Sequence, residues 1–254
     1  MPPTGDVAVV IPARNESDRI GATVAAAAGL PGVDIVVVVD DGSDDGTAAA
    51  AERAGASVMR HARNRGKAAA METGAEAIRL LEAADARVSP RHLLFLDADL
   101  AETAAGAAPL TGPVRSGEAD MAIAVFSNRA RSGGHGLVVS LSGSGIMRAT
   151  GWRPAQPLNG QRCLTRAAFD AARPLARGFG VETAMTIDLK RKGMRIVEVE
   201  VEMAHRATGS DLPAQLHRAR QFADVGLALA TRLRLARCGG APMGLTDRHH
   251  GLRL

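Results

Sequence analysis

The chain has 254 residues, of which 46% are hydrophobic and 2% aromatic, and its formal net charge is +4. This length is enough to bury the core of one α/β domain, whereas so few aromatic rings and so modest a charge argue against nucleic-acid binding. The apolar runs are shorter than the roughly 20 residues that span a bilayer. The N-terminal sequence does not resemble a secretory signal, and Cys163 and Cys238 form no disulfide framework. We therefore expect a cytoplasmic protein.

Short uninterrupted runs of Val, Ile and Leu predict buried strands that alternate with Ala-rich helices. The runs are Val7–Ile11, Ile35–Val39, a shorter one at Ser57–Met59 and the first part of His92–Leu100. Continuous rather than alternating apolar runs are typical of strands buried on both faces, and their alternation with helices is typical of βαβ units. The sequence therefore predicts an α/β fold with a mostly parallel central sheet.

Polar segments associated with these strands are expected to meet at one edge of the sheet. They are Pro12–Glu16, Asp40–Asp44, Asn64–Lys67 and Asp97–Asp99. Ligands of open parallel sheets bind beyond the carboxyl ends of the strands. The two acids of the last segment are one residue apart and can hold Mg²⁺ or Mn²⁺ against the phosphates of a ligand. Taken alone, such an acidic pair is equally compatible with a solvated turn.

Four motifs, in the order VIPARNES, VVDDGSDDGT, NRGKAAAMETG and LDADL, resemble the nucleotide-binding half of GT-A glycosyltransferases of family 2. The resemblance implies a GT-A (Rossmann-like) three-layer sandwich over residues 1–238, with a nucleotide-binding half at 1–100, an acceptor half at 101–238 and a flexible tail at 239–254. It implies Mg²⁺ or Mn²⁺ as cofactor. It also implies a nucleoside site at Pro12, Ala13, Arg14, Glu16 and Asp41, phosphate contacts at Gly66 and Lys67, and metal ligation by Asp97 and Asp99.

Three motifs of the second half, QPLNGQR, RGFGVETAMTID and EMAHRATG, resemble glucosyl-3-phosphoglycerate synthases and their close bacterial relatives. This resemblance implies that Leu158 and Asn159 line the sugar site, that Glu182 lies near the reacting centre and that His205 completes the metal ligands. It also implies UDP-glucose as the donor and retention of the anomeric configuration. The catalytic set expected from the sequence is therefore Glu182, Asp99, Leu158 and Asn159.

Two positions depart from the synthases where those enzymes hold the phosphate of the acceptor. The segment SGGHG carries His135 in place of an arginine, and Met203 also stands where the synthases have an arginine. An imidazole has a reference pKa of about 6.5 and is mostly neutral at pH 7, and a thioether donates no hydrogen bond. We therefore expect 3-phosphoglycerate to be a poor acceptor, and the sequence leaves the acceptor unidentified.

Structural roles stay open for two of the candidate site residues. His205 follows the alternating strand pattern IVEVEVEMA, where a structural histidine is an alternative to a metal ligand. Glu182 opens a helix, where an acid also complements the helix dipole. Asp188 lies about 120° around that helix from Glu182, so a structural role is expected for it.

Other acids and histidines are expected to lie outside the chemistry. Asp44 and Asp45 are predicted to cap the helix that begins near Thr47. The histidines without ligand spacing to the acids are excluded from the predicted site; they are His61, His92, His217, His249 and His250.

Three other functions fit parts of the sequence. A polyprenyl-phosphate glycosyltransferase at the membrane surface shares the first half of the pattern. The predicted helix Leu212–Cys238 would then rest on anionic lipid instead of packing on its own domain. A sugar nucleotidyltransferase would carry a glycine-rich basic loop where this chain has PARNES, and an inactive nucleotide-binding module would not need the intact metal acids. We favour a hexosyltransferase that uses UDP-glucose; peripheral membrane contact and a homodimer remain open.

Overall fold

The computed structural model describes residues 6–85, 89–127, 136–203 and 221–233. Within these ranges seven strands form one sheet. The strands are β1 (Val7–Ala13), β2 (Val33–Asp40), β3 (Ser57–Arg60), β4 (His92–Phe95), β5 (Met121–Phe126), β6 (Arg162–Leu164) and β7 (Ile196–Val201).

Helices cover the sheet and connect its strands. The α-helices are α1 (Ile20–Ala28), α2 (Thr47–Arg53), α3 (Lys67–Ala84), α4 (Thr111–Arg115), α5 (Gly136–Thr150), α6 (Arg166–Ala172) and α7 (Val181–Arg191). Residues 221–233 are also helical and are called α8 here. Two 3₁₀ segments, Ala101–Leu110 and Gly178–Gly180, lead into α4 and α7.

The strand order is β3-β2-β1-β4-β6-β5-β7. The strand β6 runs antiparallel to both of its neighbours, and the other paired strands are parallel. Ala13 is paired with Asp40, and Val10 with Phe95, so β1, β2 and β4 end close together. This topology confirms the predicted α/β fold with a mostly parallel sheet, and it places the loops after these three strands side by side.

Strand β1 is buried on both faces, as its continuous apolar run predicts. Val9 and Ile11 face the core cluster that contains α1, whereas Ala8 and Val10 face the cluster that contains α3. Alternate residues of a strand point to opposite faces of the sheet, which explains the two clusters. A Cβ added to Gly74 of α3 would lie only 2.4 Å from Cγ1 of Val10, so this glycine permits the helix to lie close against the strand.

Helix α8 packs on its own domain. Val225 and Leu229 lie in a hydrophobic cluster with Ile146 of α5 and Ile187 of α7. The guanidinium of Arg232 forms an ion pair with Asp188, in agreement with the structural role expected for that acid. The remainder of the predicted helix Leu212–Cys238 and the predicted tail at 239–254 lie outside the described residues. None of the described helices is long and apolar enough to cross a membrane.

Candidate active site

The loop after β1 is fastened to the loop after β2 by hydrogen bonds. The backbone N–H of Asn15 donates to Oγ of Ser43 at 3.0 Å, and that of Glu16 donates to Oγ1 of Thr47 at 2.9 Å. In return, the side-chain oxygen of Asn15 accepts from the backbone N–H of Asp44 at 3.0 Å. Because the bonds run in both directions, the two loops hold each other in place beyond the strand ends.

The residues predicted to bind the nucleoside all lie at this edge of the sheet. Pro12 and Ala13 are the last residues of β1, and the carbonyl of Ala13 accepts from the backbone N–H of Asp41 at 2.8 Å. Arg14 is exposed and Glu16 is half-buried in the adjoining loop. The structure therefore brings the predicted nucleoside set together.

Asp41 is 5% exposed and organises the turn before α3. Its carboxylate accepts from Nδ1 of His61 at 2.7 Å and from the backbone N–H groups of Arg65 and Gly66 at 2.8 and 2.7 Å. Burial raises the pKa of Asp41, but these hydrogen bonds outweigh the burial and the pKa lies below its ordinary value. On its other side, His61 Nε2 lies 2.9 Å from Oγ1 of Thr73.

Sequence spacing missed His61 as part of this site. The pairing of strands would have indicated His61, because β3 pairs in parallel with β2 and places Asp40 opposite Arg60. The residues that follow the two strands, Asp41 and His61, are therefore neighbours in space. Since a carboxylate can only accept a hydrogen bond, Nδ1 of His61 is the donor in the contact with Asp41.

The N-cap position of α2 is Gly46, but of the two acids predicted to cap this helix, Asp45 contributes its side chain to the start of α2. It accepts from the backbone N–H of Thr47 at 2.9 Å and also from the hydroxyl of that residue. These hydrogen bonds, that of the hydroxyl first, lower the pKa of Asp45 to about 2. Asp44 instead contributes its backbone N–H to the contact with Asn15.

The ammonium group of Lys67, the first residue of α3, lies at the centre of the site. Its Nζ is 2.7 Å from Oδ1 of Asp97 and 2.9 Å from Oε1 of Glu182. Burial would lower the pKa of Lys67, but the two carboxylates outweigh it and raise the pKa above its ordinary value. Gln161 Nε2 donates to the other oxygen of Asp97 at 2.9 Å. Residues from both halves of the chain therefore meet at one cation.

The predicted sugar-site segment passes over this cation. A Cβ added to Gly160 would lie 2.4 Å from Nζ of Lys67, so any larger residue here would require the Lys67 side chain to move. Asn159 is buried, and its amide donates to Oε1 of Gln156 at 3.1 Å while its oxygen accepts from the backbone N–H of Gln161 at 2.9 Å. The neighbouring Leu158 is half-buried. Hydrogen bonds within the segment therefore hold its conformation, and the segment lies against Lys67 and Asp97.

The two predicted metal acids follow β4, and both are half-buried. Carboxylates in this position suit Mg²⁺ or Mn²⁺, which take oxygen ligands and commonly share them with phosphates. In the described ranges, no three His, Cys, Asp or Glu side chains come together as a metal site. The third predicted ligand, His205, lies outside the described residues. The donor set present, Asp97 and Asp99, fits a metal that takes its remaining ligands from substrate.

Met203, one of the two positions that depart from the synthases, is described, and His135 is not. Met203 is 6% exposed and belongs to the core cluster on the α1 side of the sheet. A Cβ added to Gly106 would lie 2.9 Å from its Cγ. Met203 is therefore a core residue.

The layered fold and the polar groups at one sheet edge define an α/β nucleotide-binding enzyme of the GT-A type. The family model of Glycosyl transferase family 2 matches residues 8–169. The chain belongs to this family, whose members are nucleotide-sugar-dependent glycosyltransferases.

Curated relatives and solved structures agree with this assignment. The chain is 29% identical over 221 residues to glycosyltransferase AglJ of Haloferax volcanii, covering 83% of this chain and 67% of that protein. It is 29% identical over 267 residues to glucosyl-3-phosphoglycerate synthase of Mycolicibacterium paratuberculosis, covering 95% and 75%.

Among solved structures, the fold is similar to glucosyl-3-phosphoglycerate synthase from Mycobacterium tuberculosis in complex with Mn²⁺, UDP and phosphoglyceric acid. The TM-score is 0.69 at 27% identity, covering 94% of this chain and 80% of that one. A complex of the same enzyme with Mg²⁺ and UDP gives a TM-score of 0.67 at 26% identity, covering 94% and 81%.

Proposed function

We propose that this enzyme transfers a hexose, glucose in the first instance, from a UDP-sugar to an acceptor with Mg²⁺ or Mn²⁺ as cofactor. The observation that carries the proposal is the convergence of Lys67, Asp97 and Glu182 beside the predicted nucleoside edge. It is supported by relatives whose structures contain Mn²⁺ with UDP-glucose or UDP.

The nucleoside is bound along the ends of β1 and β2. Carboxylates accept from ribose hydroxyls or from a base N–H, which is the role proposed for Asp41 and Glu16. The hydrogen bonds from His61 and Gly66 already hold the Asp41 carboxylate in a fixed direction. Binding therefore requires little reordering at this position.

The diphosphate lies between the metal acids and the start of α3. Asp97, Asp99 and His205 would hold the metal, which when bound supplies positive charge against the leaving diphosphate. Lys67 adds a second positive charge there, because its raised pKa keeps it protonated at neutral pH. The backbone of Gly66, with φ of 90°, turns the chain so that α3 begins at the phosphate side.

The sugar lies between Leu158 and Asn159 on one side and Glu182 on the other. Glu182 is 7% exposed, so its carboxylate faces the site with little screening by water. It accepts hydrogen bonds from sugar hydroxyls and opposes the positive charge that develops at the anomeric carbon. Retention of configuration follows from the resemblance to the synthases and requires no protein base.

Thermal denaturation with nucleotides and metal tests the donor half of this proposal. Because a ligand that binds only the folded state raises the melting temperature, UDP and UDP-glucose with Mn²⁺ are expected to stabilise the protein more than GDP does. Addition of EDTA should remove most of the effect. Transfer of label from UDP-glucose to a component of a bacterial extract would establish the activity, and stabilisation by GDP above UDP would contradict the donor assignment.

The acceptor is proposed to differ from 3-phosphoglycerate. Met203 is packed in the core, so it offers no charge to an acceptor phosphate. A missing charge-assisted hydrogen bond is worth about 1.5–3 kcal/mol, which is roughly a tenfold to hundredfold loss of affinity. A transfer assay that compares 3-phosphoglycerate with neutral and lipid-phosphate acceptors checks this, and efficient use of micromolar 3-phosphoglycerate would contradict it.

A further inference from the structure

Arg162, the first residue of β6, is a cation buried directly behind the sugar segment. Its side chain is 1% exposed. Nε donates to the carbonyl of Asn159 at 2.8 Å and Nη2 to that of Pro157 at 3.2 Å, while Nη1 donates to the carbonyl of Glu182 at 3.0 Å and to Oγ1 of Thr186 at 2.9 Å. These four acceptors are neutral, so the guanidinium is held by dipoles.

Stability alone is a weak reason for a charge in this position. Burial lowers the pKa of Arg162 to about 10, although the negative charges of Glu182 and Glu198 oppose the shift. The side chain is therefore still protonated at pH 7, and a buried charge held only by neutral groups is expensive compared with an apolar side chain of the same volume.

The four acceptors connect the two sides of the proposed sugar subsite. Pro157 and Asn159 bracket Leu158 on one side, and Glu182 and Thr186 lie one turn apart near the start of α7 on the other. The Thr186 hydroxyl also donates to the Glu182 carbonyl at 2.8 Å. The hydrogen bonds of Arg162 to Pro157, Asn159, Glu182 and Thr186, together called the brace here, therefore form one continuous network. The rigid, planar fork of a guanidinium can satisfy several acceptors at fixed angles, whereas an ammonium group acts as a point charge.

The nucleotide side of the site is held by other groups. Asp41 is fixed by His61 and by the turn before α3, and Asp97 is fixed by Lys67 and Gln161. None of these hydrogen bonds comes from Arg162, although Lys67 also pairs with Glu182. UDP affinity therefore reports on groups that Arg162 does not contact directly.

We propose that Arg162 is a positioning residue that fixes Leu158, Asn159 and Glu182 relative to each other and so governs hexose binding and turnover without governing UDP affinity. This inference rests on the proposed function and assigns the residue that orients its sugar subsite. Misplacement of reacting groups by about 1 Å lowers rates by about a hundredfold, and an effect of this size is expected when the brace is removed.

The experiment compares Arg162→Met and Arg162→Lys with Arg91→Met as a matched control. Arg91 is also buried, but it pairs with Asp34 and Glu82 before β4, at the opposite edge of the sheet. The measurements are melting temperature, the affinities for UDP and UDP-glucose with Mn²⁺, and kcat. For Arg162→Met we expect the affinity for UDP to stay within about twofold of wild type. The affinity for UDP-glucose should fall to that for UDP, and kcat should be lower by about a hundredfold.

Arg91→Met should lower the melting temperature while leaving the ratio of UDP to UDP-glucose affinity and kcat unchanged. Arg162→Lys should recover only part of the loss, because it restores charge without the fork. Full recovery by lysine, or an equal loss of UDP and UDP-glucose affinity in Arg162→Met, would overturn the proposal. If Arg162→Met does not fold, Thr186→Val removes one acceptor and should lower kcat several-fold at unchanged UDP affinity; unchanged kcat would overturn it.

A readout without substrate separates this inference from the proposed function. Hydrogen exchange followed by mass spectrometry should show faster exchange at residues 158–160 and around Thr186 of α7 in Arg162→Met than in Arg91→Met. If wild type binds neither UDP nor UDP-glucose, the proposed function fails while this exchange difference still tests the brace. Equal exchange in the two variants would refute the brace whatever the activity.

Discussion

The nucleotide side and the sugar side of the proposed active site are held in place by different interactions. On the nucleotide side, backbone N–H groups of the loops donate to the buried hydroxyls of Ser43 and Thr47 and to the buried carboxylate of Asp41. On the sugar side, the contacts are made by buried charged groups, Arg162 and Glu182, and by the ammonium of Lys67. A neutral hydrogen bond contributes about 1 kcal/mol, whereas contacts to desolvated charges are stronger. Substitutions of the neutral hydroxyls on the first side should therefore be milder than substitutions of the charged groups on the second.

The largest effect is expected for Glu182→Gln, which removes the charge that faces Lys67 on the sugar side. Turnover should fall by about a hundredfold or more, since interactions made with charge in the transition state appear in kcat, while UDP affinity should change only a few-fold. Steady-state kinetics and UDP titration measure the two quantities. Asp188→Asn is the control on the same helix, because Asp188 pairs with Arg232 away from the site.

Near-wild-type turnover of Glu182→Gln would instead assign Glu182 to the first turn of α7 as a complement to the helix dipole. A loss of kcat in Asp188→Asn as large as that in Glu182→Gln would show that both variants disturb α7 rather than the chemistry.

A smaller effect, on binding, is expected at the metal acids, where the two sides meet. Asp99→Asn and His205→Ala should each weaken Mn²⁺-dependent UDP binding by about tenfold, or roughly 1.4 kcal/mol, because each removes a ligand from the proposed metal. Calorimetric titration with Mn²⁺ and with EDTA measures this. In EDTA the variants and wild type should bind UDP alike, and equal affinity in Mn²⁺ would refute the shared metal.

The same contrast explains what the sequence predicts and what it does not. The strands of the first half and the loops that follow them are local, so VIPARNES and VVDDGSDDGT carry both the fold and the site. The ammonium of Lys67 contacts Glu182 only because β6 runs antiparallel and α7 begins beside the start of α3. The spacing of residues in the sequence predicts neither that contact nor the contacts of Arg162. The family resemblance identified Glu182 as a site residue, but it identified neither Gln161 nor Arg162.

The position of His61 is partly predictable from the sequence, because the register of β2 and β3 places it beside Asp41 once the strand pairing is known. We expect Asp41→Ala to erase the preference for uridine over guanosine nucleotides and His61→Gln to reduce it by a few-fold, since His61 only holds the acid in place. Melting series with UDP and GDP measure the preference. Thr73→Val removes the far end of the same chain of contacts and should have a still smaller effect; a full preference in Asp41→Ala would contradict the assignment.

The smallest effect is expected for Asp45, whose carboxylate accepts hydrogen bonds at the start of α2, next to the loops of the nucleotide side. Its pKa is lowered from 3.8 to about 2 in the folded protein. A carboxyl group with a depressed folded-state pKa stabilises the protein above its unfolded-state pKa and loses that stabilisation as the pH falls through the folded-state value. Asp45→Asn keeps the capping oxygen, so the substitution removes only the charge, whose interaction with the helix N-terminus contributes about 0.3–1 kcal/mol. For a chain of this size this corresponds to about 1–4 °C in melting temperature. Asp45→Asn should therefore melt a few degrees below wild type at pH 7, and the difference should narrow between about pH 4 and pH 2. Asp44→Asn, at a position that uses its backbone N–H, is the matched control and should show little difference at any pH. A gap for Asp45→Asn that stays constant down to pH 3 would show that the ionised carboxylate is not what stabilises the start of α2.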